Sequence, residues 1–409
     1  MRRSGPIRLV LGAGAVALAV LGTTLGTAGA VSSESRPLGE IRGADVGPVI
    51  RGEYIVVLKK KRPEAGSGIS TAEDVRSRAR GLAGRYDGSL RRTYSAALQG
   101  FSVRMTEAKA RRLAADPAVA YVEPDRVEYG DDVQTDPVWG LDRVDQRDLP
   151  LDKRYEYTRT AGNVTAYVVD SGVRIGHQDF EGRASYGYNF VDDNTTASDC
   201  HGHGTHVAGT IGGRAHGVAK KVRIVAVKVL NCQNSGTTAN VLAGYDWVVR
   251  NAKRPAVANV SIGGSPAAAK DAGVRAMVQA GITVAVSAGN KDTDACTQSP
   301  AREPSVITVA ATARDDRRST FSNHGSCVDV FAPGTSIVST GHGSNTATAT
   351  MSGTSMATPH VTAVAALHLA GDPGATPAKV TDALLGAASR GKVTGPGAGS
   401  PNRLVYSGF

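Results

Sequence analysis

Aromatic side chains are scarce in this chain: six Phe, two Trp and twelve Tyr make up 5% of 409 residues. Small and aliphatic residues dominate instead, which suits a closely packed α/β domain and excludes a disordered or fibrous chain. Long apolar runs are absent beyond about residue 25, so no later segment is suited to spanning a bilayer. Cysteines number four, and no two stand as Cys-x-x-Cys, which argues against a zinc site. Internal repeats are absent. A concentrated charge is also missing from the larger part of the chain. Net charge is +10, but residues 132–409 carry 26 Lys+Arg against 23 Asp+Glu. The first 131 residues carry 21 against 14, so most of the excess lies there. That distribution argues against a nucleic-acid partner.

What is present begins with a leader. Arg2, Arg3 and Arg8 precede a mostly apolar run from Leu9 to Leu25, and Ala28-Gly29-Ala30 fits a small-residue cleavage site. Residues 1–30 therefore read as a secretory signal peptide rather than a membrane anchor, because the run is short and rich in Gly and Thr. The expectation is a secreted protein with no stable membrane association. Residues 31–51 read as a linker. Residues 52–129 form a compact unit whose pattern is strand, helix, strand, strand, helix, strand. Its strands are expected at Tyr54–Leu58, Gly88–Tyr94, Gly100–Met105 and Ala118–Pro124, and its helices at Ala72–Tyr86 and after the N-cap Thr106. This βαββαβ order is that of a ferredoxin-like α+β unit. The stretch from Tyr129 to Val138 is acidic and polar, an exposed junction.

Residues 130–409 alternate apolar strands with helical stretches. Strands are expected at Val164–Val169, Arg223–Val229, Val257–Ser261, Thr283–Ser287 and Val306–Ala311. Helices are expected at His203–Gly212, Thr238–Arg250, Ala267–Ala280 and Ser355–Leu369. Such alternation predicts a doubly wound, mostly parallel sheet covered on both faces, an α/β fold. In that architecture ligands gather at the carboxyl ends of the strands.

Three segments carry the chemistry: Val168-Val169-Asp170-Ser171-Gly172, Gly202-His203-Gly204-Thr205-His206 and Gly353-Thr354-Ser355-Met356-Ala357-Thr358-Pro359-His360. A serine hydroxyl is a weak nucleophile at neutral pH. It needs a base, and the base needs a third group to hold its tautomer. Ser355, His203 and Asp170 can fill those roles. Ser355 opens a helix, whose free N–H groups favour a developing oxyanion, and Pro359 is read within the first helical turn. Asn290, ending Ala288-Gly289-Asn290, can add an amide donor. His201, His203 and His206 lie close together and suggest a metal hydrolase. They lack a His-Glu-x-x-His arrangement. His206, one turn after His203, is expected to bond a backbone group, and His201 has no assigned role. A binding or inhibitory protein built on the βαββαβ unit is the other alternative. The complete nucleophilic set argues against it.

The joint pattern resembles the subtilisin-like serine proteases, whose chain order is Asp, His, Ser. From Trp139 onward it is most similar to the proteinase K branch and its aqualysin type, and residues 52–129 resemble the inhibitor I9-type propeptide. The resemblance implies an autoprocessed serine endopeptidase with no catalytic cofactor, acting as a monomer on protein and peptide substrates and inhibited by its own propeptide. It implies a cleft in which Ser261, Ile262 and Gly263 pair with an extended peptide. Asn234, Ser235 and Gly236 would face them, and Ser287, Ala288 and Gly289 would line the primary pocket. None supplies a charge, so an apolar or aromatic residue before the scissile bond is expected. Structural Ca²⁺ is implied at Pro304, Val306 and Asp329, and at Asp142, Asp145, Gln146 and Asp152, where Arg154 departs from the type. His201 also departs, standing where Asn is common. Spacing leaves three cysteine pairings open. The resemblance favours Cys200–Cys232 and Cys296–Cys327, each loop stabilising by roughly 3–4 kcal/mol in the chain-entropy picture.

Overall fold

The computed structural model describes residues 38–43, 49–59, 71–126 and 132–408. The signal peptide, most of the linker and Tyr129 lie outside the described residues. The chain divides into two compact units, described over residues 38–42 with 54–122 and over 43, 49–53 with 123–408.

The smaller unit contains β1 (Glu53–Leu58), α1 (Ala72–Arg85), β2 (Ser89–Tyr94), β3 (Gly100–Arg104), α2 (Glu107–Ala114) and β4 (Val119–Pro124). Its sheet order is β2-β3-β1-β4, the order of a ferredoxin-like unit. In β1 every second residue is buried, placing Tyr54, Val56 and Leu58 on one face. Val75, Ala79, Leu82 and Ala83 of α1 recur at helical spacing and pack into the same core with Phe101, Val103 and Leu113. Thr71 and Asp74 form a reciprocal capping box at the start of α1. Thr106 occupies the N-cap of α2 but makes no side-chain cap bond. Ile41, from the stretch read as linker, is buried in this core and bridges Val122.

The larger unit opens with β5 (Asp132–Thr135), α3 (Trp139–Val144), β6 (Arg154–Tyr157), β7 (Thr165–Asp170), β8 (Ala184–Asn189), α4 (His203–Gly212) and β9 (Arg223–Lys228). It continues with α5 (Thr238–Asn251), β10 (Ala256–Val260), α6 (Ala268–Gln279), β11 (Thr283–Ser287), β12 (Ile307–Thr312), β13 (Val330–Pro333), β14 (Ile337–Thr340) and β15 (Thr348–Met351). It closes with α7 (Thr354–Gly371), α8 (Pro377–Ala387), β16 (Ser389–Arg390) and β17 (Arg403–Leu404). The main sheet runs β16-β17-β13-β12-β11-β10-β7-β9-β8, parallel throughout except at β16. The chain leaves β7 towards β8 and β9 on one side and then crosses to β10 on the other. The switch in direction therefore falls beside β7. Residues 132–135, inside the expected junction, pair antiparallel with β6.

Every residue of β7, β10, β11, β12 and β13 is buried, as expected for strands covered on both faces. Ala166 and Val168 face one core, packed with Val207, Ile211, Val361 and Val364 of α4 and α7. Tyr167 and Val169 face the other, packed with Val241, Val248 and Val274 of α5 and α6. Helix α7 is apolar nearly all round, and its whole length to Leu367 is buried. Its start at Thr354 places Pro359 in the second turn, not the first. The disulfides are Cys200–Cys232 and Cys296–Cys327, with Cα atoms 4.9 and 5.3 Å apart. Among the described residues no helix is long and apolar enough to cross a membrane.

Two buried histidines tie the core to pH. His206 donates through its Nε2–H to the Ile337 carbonyl, 2.9 Å away, the backbone bond that was expected. His360 bonds the Met356 carbonyl through Nδ1. Burial pushes both down to about 4. The unfolded chain takes up these protons near pH 6.5 and the folded one does not, so stability falls as pH drops from about 6.5 towards 4. The loss is roughly 3 kcal/mol per histidine. His360→Gln should flatten that dependence in urea unfolding. An equally steep acid loss in the variant would remove His360 from the account.

Candidate active site

Asp170 is the last residue of β7, fully buried at the switch in strand order. A carboxylate there needs donors. Its Oδ1 accepts the Ser171 N–H at 2.7 Å and His203 Nδ1 at 2.7 Å. His203 is the first residue of α4. Gly202, the N-cap, has φ +107, a conformation that favours glycine. The close approach of α4 to β7 also depends on Gly204, where a Cβ would lie 2.1 Å from the Gly172 carbonyl oxygen and 3.1 Å from Asp170 Cβ. Two sequence elements 33 residues apart are thereby brought into a hydrogen-bonded pair.

A second carboxylate, not singled out from the sequence, organises this pair. Asp199 Oδ1 accepts from the His201 and Gly202 N–H groups and from Ser171 Oγ. Its Oδ2 accepts from the Thr205 N–H and from Thr205 Oγ1. It thus satisfies the Thr205 N–H in the first turn of α4 and two N–H groups just before the helix, and complements the helix's positive end. Ser171 Oγ in turn accepts the Gly204 N–H at 2.9 Å. An acidic residue four positions before His203, ahead of a helix start, was the available signal. Lys228, paired in register with Asp170, buries its ammonium against the Ser171 and Leu230 carbonyls. Burial pulls the His203 imidazole down, but the charge and hydrogen bond of Asp170, with the charge of Asp199, outweigh it and leave it raised.

Ser355 is the second residue of α7, where its N–H has no intrahelical partner. Pro359 has no N–H, so the Ser355 carbonyl four residues earlier is also free of the helix ladder. Ser261 Oγ fills that vacancy at 2.9 Å, and Asn259 Nδ2 holds Ser261 Oγ at 2.8 Å. The Ser355 hydroxyl donates back to the Ser261 carbonyl at 3.2 Å rather than to His203. Asn290 Oδ1 accepts both the N–H and the hydroxyl of Thr354, at 2.8 and 2.9 Å, which leaves the amide NH₂ to donate elsewhere.

The remaining predicted residues divide clearly. Asn234, Ser235 and Gly236 sit in a tight exposed turn organised by Asn231. Ser287 ends β11, and Ala288 and Gly289 follow it, buried. Ile262 is half-buried against the core and Gly263 is exposed, while Gly264 exchanges backbone bonds with Ser299. The His201 ring lies 6.4 Å from that of His203. Asp142 accepts from the N–H groups of Asp152 and Lys153, and Gln146 Oε1 from that of Asp152, so three of the four predicted cation ligands share one loop. Asp145 Oδ1 is buried without a partner, and burial, with Asp152 and Asp142 nearby, pushes its carboxyl up to about 7. Arg154 turns to Glu156. Asp329 accepts the Thr308 N–H, and burial raises its carboxyl to about 6. Among the described residues no three His, Cys, Asp or Glu side chains form a metal cluster by themselves. Both predicted sets include amide or carbonyl oxygens, and their underpaired carboxylates fit a hard cation.

Residues 162–405 match the profile of the Subtilase family, Peptidase S8, and residues 53–129 match Peptidase inhibitor I9. The chain is 45% identical, over the full length of both proteins, to an extracellular serine proteinase of a Thermus species. It is 45% identical to alkaline serine exoprotease A of Vibrio alginolyticus, covering 88% of this chain and 68% of that one. A crystal structure of a cold adapted subtilisin-like serine proteinase aligns with a TM-score of 0.66 and 52% identity, covering 67% of this chain and 99% of that one.

The charge of Asp199 reaches His203, so Asp199→Asn should lower the His203 pKa. An NMR titration of the imidazole measures it. An unchanged or higher value would contradict the assigned electrostatics.

Proposed function

We propose that this chain, a serine-type endopeptidase that belongs to the subtilase family and carries an inhibitor I9 domain, cleaves peptide bonds through Ser355, His203 and Asp170. The observation that carries the assignment is the buried 2.7 Å bond between His203 Nδ1 and Asp170 Oδ1. That bond fixes the proton on Nδ1 and leaves Nε2 as the base. Ser355 turns from the Ser261 carbonyl, gives its proton to His203 Nε2 and attacks the scissile carbonyl. Asp170 stabilises the resulting imidazolium. The free Ser355 N–H and the Asn290 NH₂ receive the oxyanion. His203 then protonates the leaving amine, and water enters by the same route to release the acyl group from Ser355.

Ser261–Gly263 would add the substrate as an extended strand, with Asn234–Gly236 as the opposing wall. Ser287, Ala288 and Gly289 offer no charge, which supports broad specificity with an apolar or aromatic preference. The relatives' names and the expected leader support an extracellular protein made as a preproenzyme, with the βαββαβ unit remaining bound after the junction is cut and inhibiting the enzyme until it is degraded. Calcium is the structural ion the two oxygen sets would hold. It would add no chemical step and would fix the loop 142–152 and the strand ends at Thr308 and Asp329. Pro304 and Val306 would contribute carbonyl oxygens.

Ser355→Ala should lower kcat by about 10⁴–10⁶ and leave the precursor uncut. A purified variant that keeps a tenth of the activity would remove Ser355 from the nucleophile's place. EDTA should lower the thermal midpoint, and Ca²⁺ should restore it. Asp145→Asn and Asp329→Asn should each reduce the restored shift. Equal midpoints in EDTA and Ca²⁺ would exclude both sites.

A further inference from the structure

Gln298 lies between Gly263, on the edge read as pairing with the substrate, and Gly289, in the segment read as lining the primary pocket. Its amide oxygen is 3.4 Å from where a Cβ of Gly263 would stand and 2.5 Å from where one of Gly289 would stand. Gly289 has φ +105, so both the space and the backbone there exclude a side chain. Gln298 is itself only 8% exposed. The residue is held from both sides. Its N–H donates to the Ala295 carbonyl, its carbonyl accepts the Arg302 N–H, and the adjacent Ser299 exchanges two backbone bonds with Gly264. Cys296, two residues earlier, is bonded to Cys327.

The side chain is treated differently from its neighbours. Asn323 Nδ2 donates to the Ala288 carbonyl, and its Oδ1 accepts from the Lys291 and Thr293 N–H groups. Asp294 Oδ1 accepts the Cys296 N–H. The Gln298 amide has no hydrogen-bond partner among the described residues. The Gln298 amide atoms are not among the fully buried polar atoms that lack a partner, so water reaches them. An amide facing a pocket is satisfied by water when the pocket is empty and by the ligand when it is full.

We propose that the Gln298 amide forms the floor of the primary pocket and selects an aromatic side chain with a polar tip before the scissile bond, tyrosine over phenylalanine. The proposal rests on the reading of Ser355 as nucleophile, which places Ser261–Gly263 and Ser287–Gly289 beside the acyl group. The amide offers one acceptor and two donors without charge. A phenol hydroxyl replaces the displaced water. A phenyl ring displaces that water and leaves the amide unpaired. A lysine or arginine finds no countercharge.

The test uses the mature enzyme and peptide anilides that differ only in the residue before the scissile bond. Titration with a serine-directed phosphonate first counts active Ser355, so a failure of the nucleophile assignment is seen separately. The expected ratio of kcat/KM for Tyr over Phe is on the order of tenfold in the native enzyme. Gln298→Met keeps the length without the amide and should bring the ratio close to one. Gln298→Glu places a carboxylate on the floor and should raise the Lys-to-Tyr ratio by about a hundredfold at pH 9. A Tyr-to-Phe ratio unchanged in the Met variant removes the hydrogen bond from selection. A Lys-to-Tyr ratio unchanged in the Glu variant removes the residue from the pocket. Either result overturns the proposal.

Discussion

Asp170 is a carboxylate with no exposure to solvent, at the end of a central strand. Removing such a charge from water costs several kcal/mol, and the surrounding groups are arranged to offset that cost. The Ser171 N–H and His203 Nδ1 bond it directly. Lys228 brings a buried positive charge to the next strand. Asp199 returns a negative one beside the first turn of α4. The four groups balance two anions with one ammonium and an imidazole that gains a proton when charged. The imidazolium form of His203 is therefore favoured by the two carboxylates beside it.

The same constraint explains the glycine and proline positions around the site. A helix start can meet the end of β7 only if its first turn carries no bulk, which is the role of Gly204. On the other flank, Pro359 removes one rung from the α7 ladder. The carbonyl released belongs to Ser355, and Ser261 occupies it. Ser261 and Ser355 are thus joined twice, Oγ to carbonyl in each direction. The end of β10 and the start of α7 are one hydrogen-bonded unit at these two residues. Thr362 extends it by donating to Asn259 Oδ1 from two turns along the helix.

What was legible in the sequence follows from how each feature is encoded. The β-branched runs at β7, β9, β10 and β11 and the motifs at Asp170, His203 and Ser355 are local, and each falls where it was expected. The cysteine pairing needed the family resemblance, because spacing left three choices. β8, with Gly187 and three half-buried positions, and the four-residue β13 carry too little apolar pattern to be read alone. Ile41 sits in a polar stretch, yet its partners lie in β4, 80 residues away. Asp199, Lys228 and Gln298 are single polar residues whose meaning is entirely tertiary. Asp199 matters because Ser171 is beside it, and Gln298 because two distant glycines leave it room. The helix boundary at Thr354 moved Pro359 by one turn, and only the Ser261 contact shows why the proline is tolerated there.

The disulfides show where the fold needs help. The two cores on either face of the sheet are dense and need no cross-link. Neither bridge touches them closely. Cys200–Cys232 instead joins the loop holding Asp199 and His201 to the turn carrying Asn234–Gly236. Cys296–Cys327 joins the loop of Gln298 to that of Asn323. Each ties together two loops, the second beside a small apolar cluster of Ala288, Ala295 and Val328. A cross-link limits such loops in the unfolded chain and also narrows their motion in the folded one. The loop of Gln298 and the start of α4 are thereby held in place, while the parallel sheet supplies the stability beneath them.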